Sequence, residues 1–336
     1  MQNASRTNWK FDGYLTRATV AWDCTEGAFG QANGKLRRIP FATVDQQVSS
    51  ETQVHKGGLT ALVAHPEGGY VSGGEDGRIM RIPTEGEPVE WAKHPHQWIE
   101  VMAAFPDGRI AYALGKQVIL LDASGTETAR LGPHDSTVMD IAVHGDKLVA
   151  CHYNGATLWA LDGSAEPRKL VWKGSHLAVA INPEGTIVAT STQEGDVHGW
   201  RLDEKREMRM SGYQSKVKSL AFSADGQWLC TSGADVMVAW PFDGPGPEGR
   251  APLELVEIRN VMVTRVAAHP ISHFVACGFE DGTLAMVDLK TQAGGKVQVT
   301  KRGPVTCLAW ARNGNHLIAG ADDGRAIVFS VPGPQA

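Results

Sequence analysis

One short pattern returns eight times along this chain of 336 residues: an apolar residue, a small one that is usually alanine, an apolar or small one, a turn, then a small residue inside a second strand-like run. The first small-residue column reads Val20, Val63, Ala103, Ala142, Ala180, Ala221, Ala267 and Ala309, with alanine at six of the eight. The turns after it fall at Asp23, Pro66, Pro106, Gly145, Pro183, Ala224, Pro270 and Arg312, so copies recur every 38 to 46 residues. A second column follows at Ser72, Ala111, Ala150, Ala189, Thr231, Ala276 and Ala319. A unit this short cannot bury its own apolar face, so the copies must stack on one another. Small side chains in two columns let neighbouring strands and sheets approach closely.

Each copy reads as strands. Leu59 to Ala64, Tyr70 to Ser72, Arg78 to Ile82 and Val89 to Ala92 are short, rich in β-formers and separated by Gly, Pro or acidic turns. No segment sustains helical periodicity. Four strands per copy make one small sheet.

The chain is longer than one ordinary core, yet no charge block or low-complexity stretch divides it. A single repeat domain over residues 1–336 accounts for both facts. A net charge of −5 with 42% hydrophobic residues gives no basic surface for nucleic acid. No apolar run approaches the roughly 20 residues of a membrane span, and Met1 to Lys10 is polar, unlike a signal peptide. The five cysteines, Cys24, Cys151, Cys230, Cys277 and Cys307, form no Cys-x-x-Cys pair. Read as reduced thiols in strands, they point to the cytoplasm. There the acceptor-like triplet Asn3-Ala4-Ser5 never meets the glycosylation machinery.

Catalytic motifs are missing. Gly244-Pro245-Gly246-Pro247-Glu248-Gly249 satisfies G-x-G-x-x-G, but its prolines lack the amide hydrogens a phosphate needs and no helix follows. It reads as a surface loop between the third and fourth strands of the sixth copy. No G-x-S-x-G, H-E-x-x-H or P-loop is present, so a non-catalytic protein without cofactor is expected.

Ser72-Gly73-Gly74-Glu75-Asp76-Gly77-Arg78-Ile79, Gly278-Phe279-Glu280-Asp281-Gly282-Thr283-Leu284 and Phe222-Ser223-Ala224-Asp225-Gly226 resemble the repeats of WD-repeat β-propellers, and the likeness covers nearly the whole chain. The motifs are degenerate. Where the family carries Trp-Asp, this chain has Ile82-Pro83, Leu121-Asp122, Leu161-Asp162, Trp200-Arg201, Trp240-Pro241, Val287-Asp288 and Phe329-Ser330. The opening Gly-His is eroded to forms such as Gly132-Pro133-His134 and Gly212-Tyr213. The resemblance implies an all-β, single closed β-propeller of four-stranded blades, stabilised more by packing than by the family's buried His–Ser/Thr–Asp–Trp network. Eight copies predict eight blades, with seven the alternative because the first copy, Ala18 to Pro40, has a short turn and a distant fourth strand around Thr52 to His55. The last copy ends at Val331 without a fourth strand, so Asn8 to Asp12 is expected to supply it and close the ring.

In the family, the loops joining fourth to first strands and second to third strands share one face, called the top. Acidic residues collect at the second-to-third turns. Asp before Gly suits a tight turn on its own account, whereas Glu75, Glu280 and Asp322 are not demanded by it and would focus a negative potential. The expected partner is a protein or basic peptide, with no nucleic acid and no membrane. Trp98 and Tyr213 stand at entrances to first strands as candidate aromatic anchors. Arg265 stands in an inner column with Ala18, Ala61, Val101, Asp140, Ala178, Ser219 and Cys307, and is expected to face the channel.

His55, His94, His96, His134 and His152 fall in top-face loops of the first four copies, and neutral imidazoles there could hold a divalent metal. The resemblance gives His134 and His55 a structural role instead. The leading expectation is a rigid scaffold or adaptor that presents its rim to a partner. A metal-handling accessory protein is the alternative, and a propeller enzyme the remaining one.

Overall fold

Hairpin after hairpin of antiparallel strands carries the chain through the computed structural model, which describes residues 5–298 and 303–331. The triplet at Asn3 and the tail Pro332 to Ala336 lie wholly or partly outside those residues. The first copy forms a sheet of Leu15–Val20, Glu26–Gln31, Lys35–Pro40 and Ser50–Gln53; the second of Leu59–Ala64, Tyr70–Gly74, Arg78–Ile82 and Val89–Lys93. The third contains Met102–Ala104, Ile110–Leu114, Gln117–Leu121 and Glu127–Leu131. The sixth is built from Leu220–Phe222, Trp228–Thr231, Met237–Pro241 and Leu253–Leu255, and the seventh from Val263–Ala268, Phe274–Phe279, Leu284–Asp288 and Ala293–Gln298. The eighth joins Val305–Trp310, His316–Ala321 and Arg325–Ser330 to Ser5–Lys10, which pairs from Ser5↔Ser330 to Lys10↔Arg325. The outer strand expected from the N-terminus is thus Ser5–Lys10, a few residues earlier than Asn8 to Asp12.

Counted as hydrogen-bonded sheets, the blades number seven, not the eight expected. The first copy, the suspected weak point, makes a complete sheet. The fourth and fifth copies instead share one sheet of six strands: Asp140–His144, Lys147–Ala160, Arg168–Ile181, Ile187–Thr192, Val197–Arg201 and Arg206–Met210. Arg168–Ile181 pairs through its first half with Tyr153–Leu158 and through its second with Ile187–Thr192. It is the outer strand of one copy and the inner strand of the next, because the strand runs unbroken from Ser175, paired with Tyr153, to His176, paired with Thr192. Lys147–Ala160 turns back at Asn154 and Gly155, both at positive φ, bringing the Leu161 amide 2.8 Å from the Asp146 carbonyl.

The pairing also moves the repeat columns in the first copy. Ala267 faces Ala276, Ala180 faces Ala189 and Ala103 faces Ala111; the equivalent pair in the first copy is Thr19 with Ala28, not Val20. Each of four first strands carries a bulge at a threonine: Thr16, Thr60, Thr264 and Thr306. Aligned on those bulges, Arg17 rather than Ala18 occupies the inner column of Arg265.

The threonines have a visible task. The Thr16 hydroxyl donates to the carbonyl of Leu59, Thr60 to that of Ile99 and Thr306 to that of Leu15, at 2.5 to 2.6 Å, each tying its strand to the first strand or entrance of another copy. Apolar side chains fill the space between such copies. Trp9, Phe11, Leu15, Phe29, Ile39, Ile318 and Val328 form one cluster, and Val71, Ile79, Ile99, Ile110, Tyr112 and Ile119 another.

The chain divides into two compact units. One holds the first, second and eighth copies with most of the third; the other holds the fourth to the seventh. No helix among the described residues is long and apolar enough to cross a membrane.

Candidate protein-interaction site

The entrances to the first strands are held by hydrogen bonds that reuse one plan with different residues. His55 Nε2 lies 2.9 Å from the Ser72 hydroxyl, and His55 Nδ1 lies 2.9 Å from the Asp76 carboxylate. His94 Nε2 meets the Tyr112 hydroxyl at 2.7 Å, and His176 Nδ1 meets Thr190 at 2.7 Å. In the sixth copy a tyrosine takes the histidine's place: Trp240 Nε1 donates to the Tyr213 hydroxyl at 2.7 Å, which sits 2.8 Å from Thr231. More of the buried network survives than the eroded motifs implied. A hydroxyl or aromatic on the second or third strand suffices to satisfy the loop side chain, so the Trp-Asp dipeptide can go without losing the hydrogen bond.

This plan decides the fate of the candidate histidines. Burial lowers the His55 pKa against the opposing pull of Asp76, so the ring is a neutral structural hydrogen bonder. His152 Nε2 reaches Thr157 at 3.0 Å. The structure brings together His134 and His152, whose rings stack at 4.2 Å, with Trp159 edge-on to His134 at 5.4 Å. Burial and then the neighbouring His152 push the His134 pKa down to about 4. His96 is exposed and stands at a φ of 66°. Among the described residues, no group of three or more His, Cys, Asp or Glu side chains is placed to hold a metal.

The expected partner residues lie on separate sheets. Glu75 is exposed at the second-to-third turn of its copy, and one carboxylate oxygen accepts the Gly58 amide at 2.8 Å. Glu280 is exposed at the equivalent turn, its own amide bonded to the Met262 carbonyl. Asp322 is half-buried; burial and then Asp323 raise its pKa above the ordinary carboxylate value. Trp98 is 59% exposed although the next residue, Ile99, is fully buried and its amide is held by the Gly74 carbonyl. Tyr213 is no free anchor, since its hydroxyl is consumed internally and burial pushes its pKa up to about 12. Arg265 donates to the carbonyl of Thr264 at 2.9 Å, and Arg17 makes the same bond to Thr16, with a second to the Glu100 carbonyl at 3.1 Å. Arg17 escaped the sequence reading because the first copy's columns were displaced by one residue.

One pocket of about 490 Å³ opens in the sixth copy, and sequence reasoning missed most of it. Val238 and Trp240, alternate residues on one face of the third strand, form its floor with Val236 just ahead of that strand, and Tyr213 walls it from the entrance loop. Asp235, Glu254 and Glu257 line it, and no Lys or Arg does. Glu254 comes opposite Val238 only through strand pairing, which no spacing along the chain announces. The Gly244 to Gly249 loop lies between the third and fourth strands as expected, with Arg201 Nη2 donating to the Gly244 carbonyl at 2.8 Å.

The family model of the WD domain, G-beta repeat, matches residues 46–80, 204–235 and 295–330. The chain is similar to the angio-associated migratory cell protein of Homo sapiens, 25% identical over 237 residues that cover 63% of this chain and 51% of that protein. It is similar to the small ribosomal subunit protein RACK1y of Oryza sativa subsp. japonica, 25% identical over 158 residues covering 46% of this chain and 34% of the relative. Autophagy-related protein 16 of Arabidopsis thaliana is 22% identical over 358 residues, covering 98% of this chain and 69% of that protein. The matched region thus spans about half the length of the angio-associated relatives. Among solved structures, the computationally designed Ika8 protein superposes with a TM-score of 0.78 at 20% identity, covering 96% of this chain and 98% of that one, which speaks for the fold alone. With its matched repeats and its four-stranded sheets, the chain is similar to WD-repeat β-propellers.

Proposed function

We propose that this protein is a non-catalytic scaffold, a single propeller domain in the cytoplasm whose loop ends hold a protein or peptide partner, with basic character in the partner. The observation that carries the reading is Trp98. A large aromatic side chain stands 59% exposed on a loop whose backbone is pinned on both sides of it, by the bond from the Gln97 amide to the His94 carbonyl and from the Ile99 amide to the Gly74 carbonyl. An exposed tryptophan that needs no reordering is the kind of residue that dominates binding energy. Exposed Glu75 and Glu280 supply charge without steric cover. The buried thiols support a non-catalytic role: burial pushes Cys277 up to about 12 and raises Cys151 and Cys230 well above their ordinary value, which removes the nucleophilic thiolate.

The test is affinity capture from the native cell with wild-type protein, Trp98→Ala and the triple variant Glu75→Lys, Glu280→Lys, Asp322→Lys. A stoichiometric protein partner that both variants lose upholds the reading. A partner retained by both, or none captured, overturns it.

A further inference from the structure

We propose that the pocket of the sixth copy is a docking site for an arginine side chain of a partner protein. The inference rests on the scaffold reading and names a site within it. The pocket, about 490 Å³, falls within the roughly 300–1,000 Å³ of ordinary ligand sites. Its two halves differ in chemistry. The floor is apolar: Val236 and Val238 offer aliphatic surface, and Tyr213 and Trp240 offer rings whose polar atoms bond each other. Because that bond satisfies both the phenol and the indole, the floor asks for no hydrogen-bonding ligand and accepts a hydrocarbon stem.

The rim is acidic. Glu254 and Glu257 are exposed, and Asp235 spends its carboxylate on the Asn260 amide at 3.0 Å and the Gln214 amide group at 3.2 Å, both neutral donors. No cation lines the pocket to balance these three charges. An apolar channel leading to uncompensated carboxylates matches a side chain with an aliphatic stem and a cationic head. Arginine fits better than lysine, because its planar head pairs with carboxylates in fork geometry and lies flat on aromatic faces.

The arrangement is local to this copy. The pocket of the fourth copy, about 230 Å³, has an analogous place between entrance loop and second-to-third turn, but is lined by His134, His152 and Lys169 with Asp135. A cation is therefore accommodated in one copy's pocket and disfavoured in the other's.

The test is the indole signal of Trp240 in an NMR spectrum of the full chain, titrated with N-acetylarginine amide and with its neutral isostere N-acetylcitrulline amide. Saturable movement with arginine alone, weakened at least tenfold in Glu254→Gln/Glu257→Gln, supports the proposal. Both glutamates are exposed, so an unchanged melting temperature shows that the variant is folded. No movement, equal movement with citrulline, or undiminished binding by the double variant overturns it. Loss of partner capture in the Trp98 and charge-reversal variants, alongside a silent Trp240, would refute this site while leaving the scaffold reading intact.

Discussion

Single hydroxyls and imidazoles carry much of the specificity of this fold. Thr306 is buried, and its hydroxyl donates to the Leu15 carbonyl at 2.5 Å with the Gly320 carbonyl also within reach at 3.1 Å, so Thr306→Val removes that donor while keeping the side chain's shape. The expected loss is about 1–3 kcal/mol, read by urea unfolding; an unchanged midpoint would show that the contact carries no weight. His198 is one of the pH-sensitive residues. Its ring is 1% exposed, stacked on Trp172 at 3.9 Å with Trp200 edge-on at 4.6 Å; neither ring nitrogen is hydrogen-bonded, and the nearest carboxylate is Glu207, 3.5 Å from Nε2. Burial, then His176 and Arg209, lower its pKa to about 4. The folded state therefore resists a proton that the unfolded chain accepts near pH 6.5. Stability from this site is complete above about pH 6.5 and is lost as pH falls toward the folded value, with a slope of up to about 1.4 kcal/mol per pH unit. His198→Phe should flatten the fall of melting temperature between those limits, and a slope equal to wild type would refute the assignment.

The element that matters most is the shortest to describe: Ser5–Lys10 completes the sheet of the eighth copy. Trp9, inside it, and Phe11, just after it, belong to the core cluster that includes Leu15, Phe29 and Ile318. Removing residues 1–12 exposes the edge of Arg325–Ser330 and leaves that cluster open, so the melting temperature should drop sharply and aggregation should rise. An unaltered melt would show that the strand is dispensable. Elements also explain how far the repeats could be read. Alternation and turn residues in Leu59–Ala64 or Phe274–Phe279 mark strands directly. The merging of the fourth and fifth copies could not be read, because the deciding feature is the change of pairing partner between Ser175 and His176, and pairing depends on distant strands. The one-residue displacement of the first copy had the same origin, since Val20 satisfies an apolar pattern as well as Thr19 does and only pairing with Ala28 separates them.

Across the molecule, a net charge of −5 combines with exposed carboxylates at the turns and uncompensated ones in the sixth-copy pocket. Binding of a basic partner should weaken steeply as salt rises, and the Glu75, Glu280 and Asp322 reversal should abolish that dependence. Affinity indifferent to ionic strength would remove the electrostatic part of the proposal. The repeat period, the small-residue columns and the polar turns were enough to mark an all-β repeat protein, because each is a local requirement that any sheet of this kind imposes on its own residues. Only the tertiary structure decided how many sheets result, which histidines are spent inside, that Arg17 joins Arg265 in one column, and that Glu254 comes to face Val238. Those outcomes depend on register and on which residue from a distant copy fills a given space, and neither is encoded in spacing along one strand.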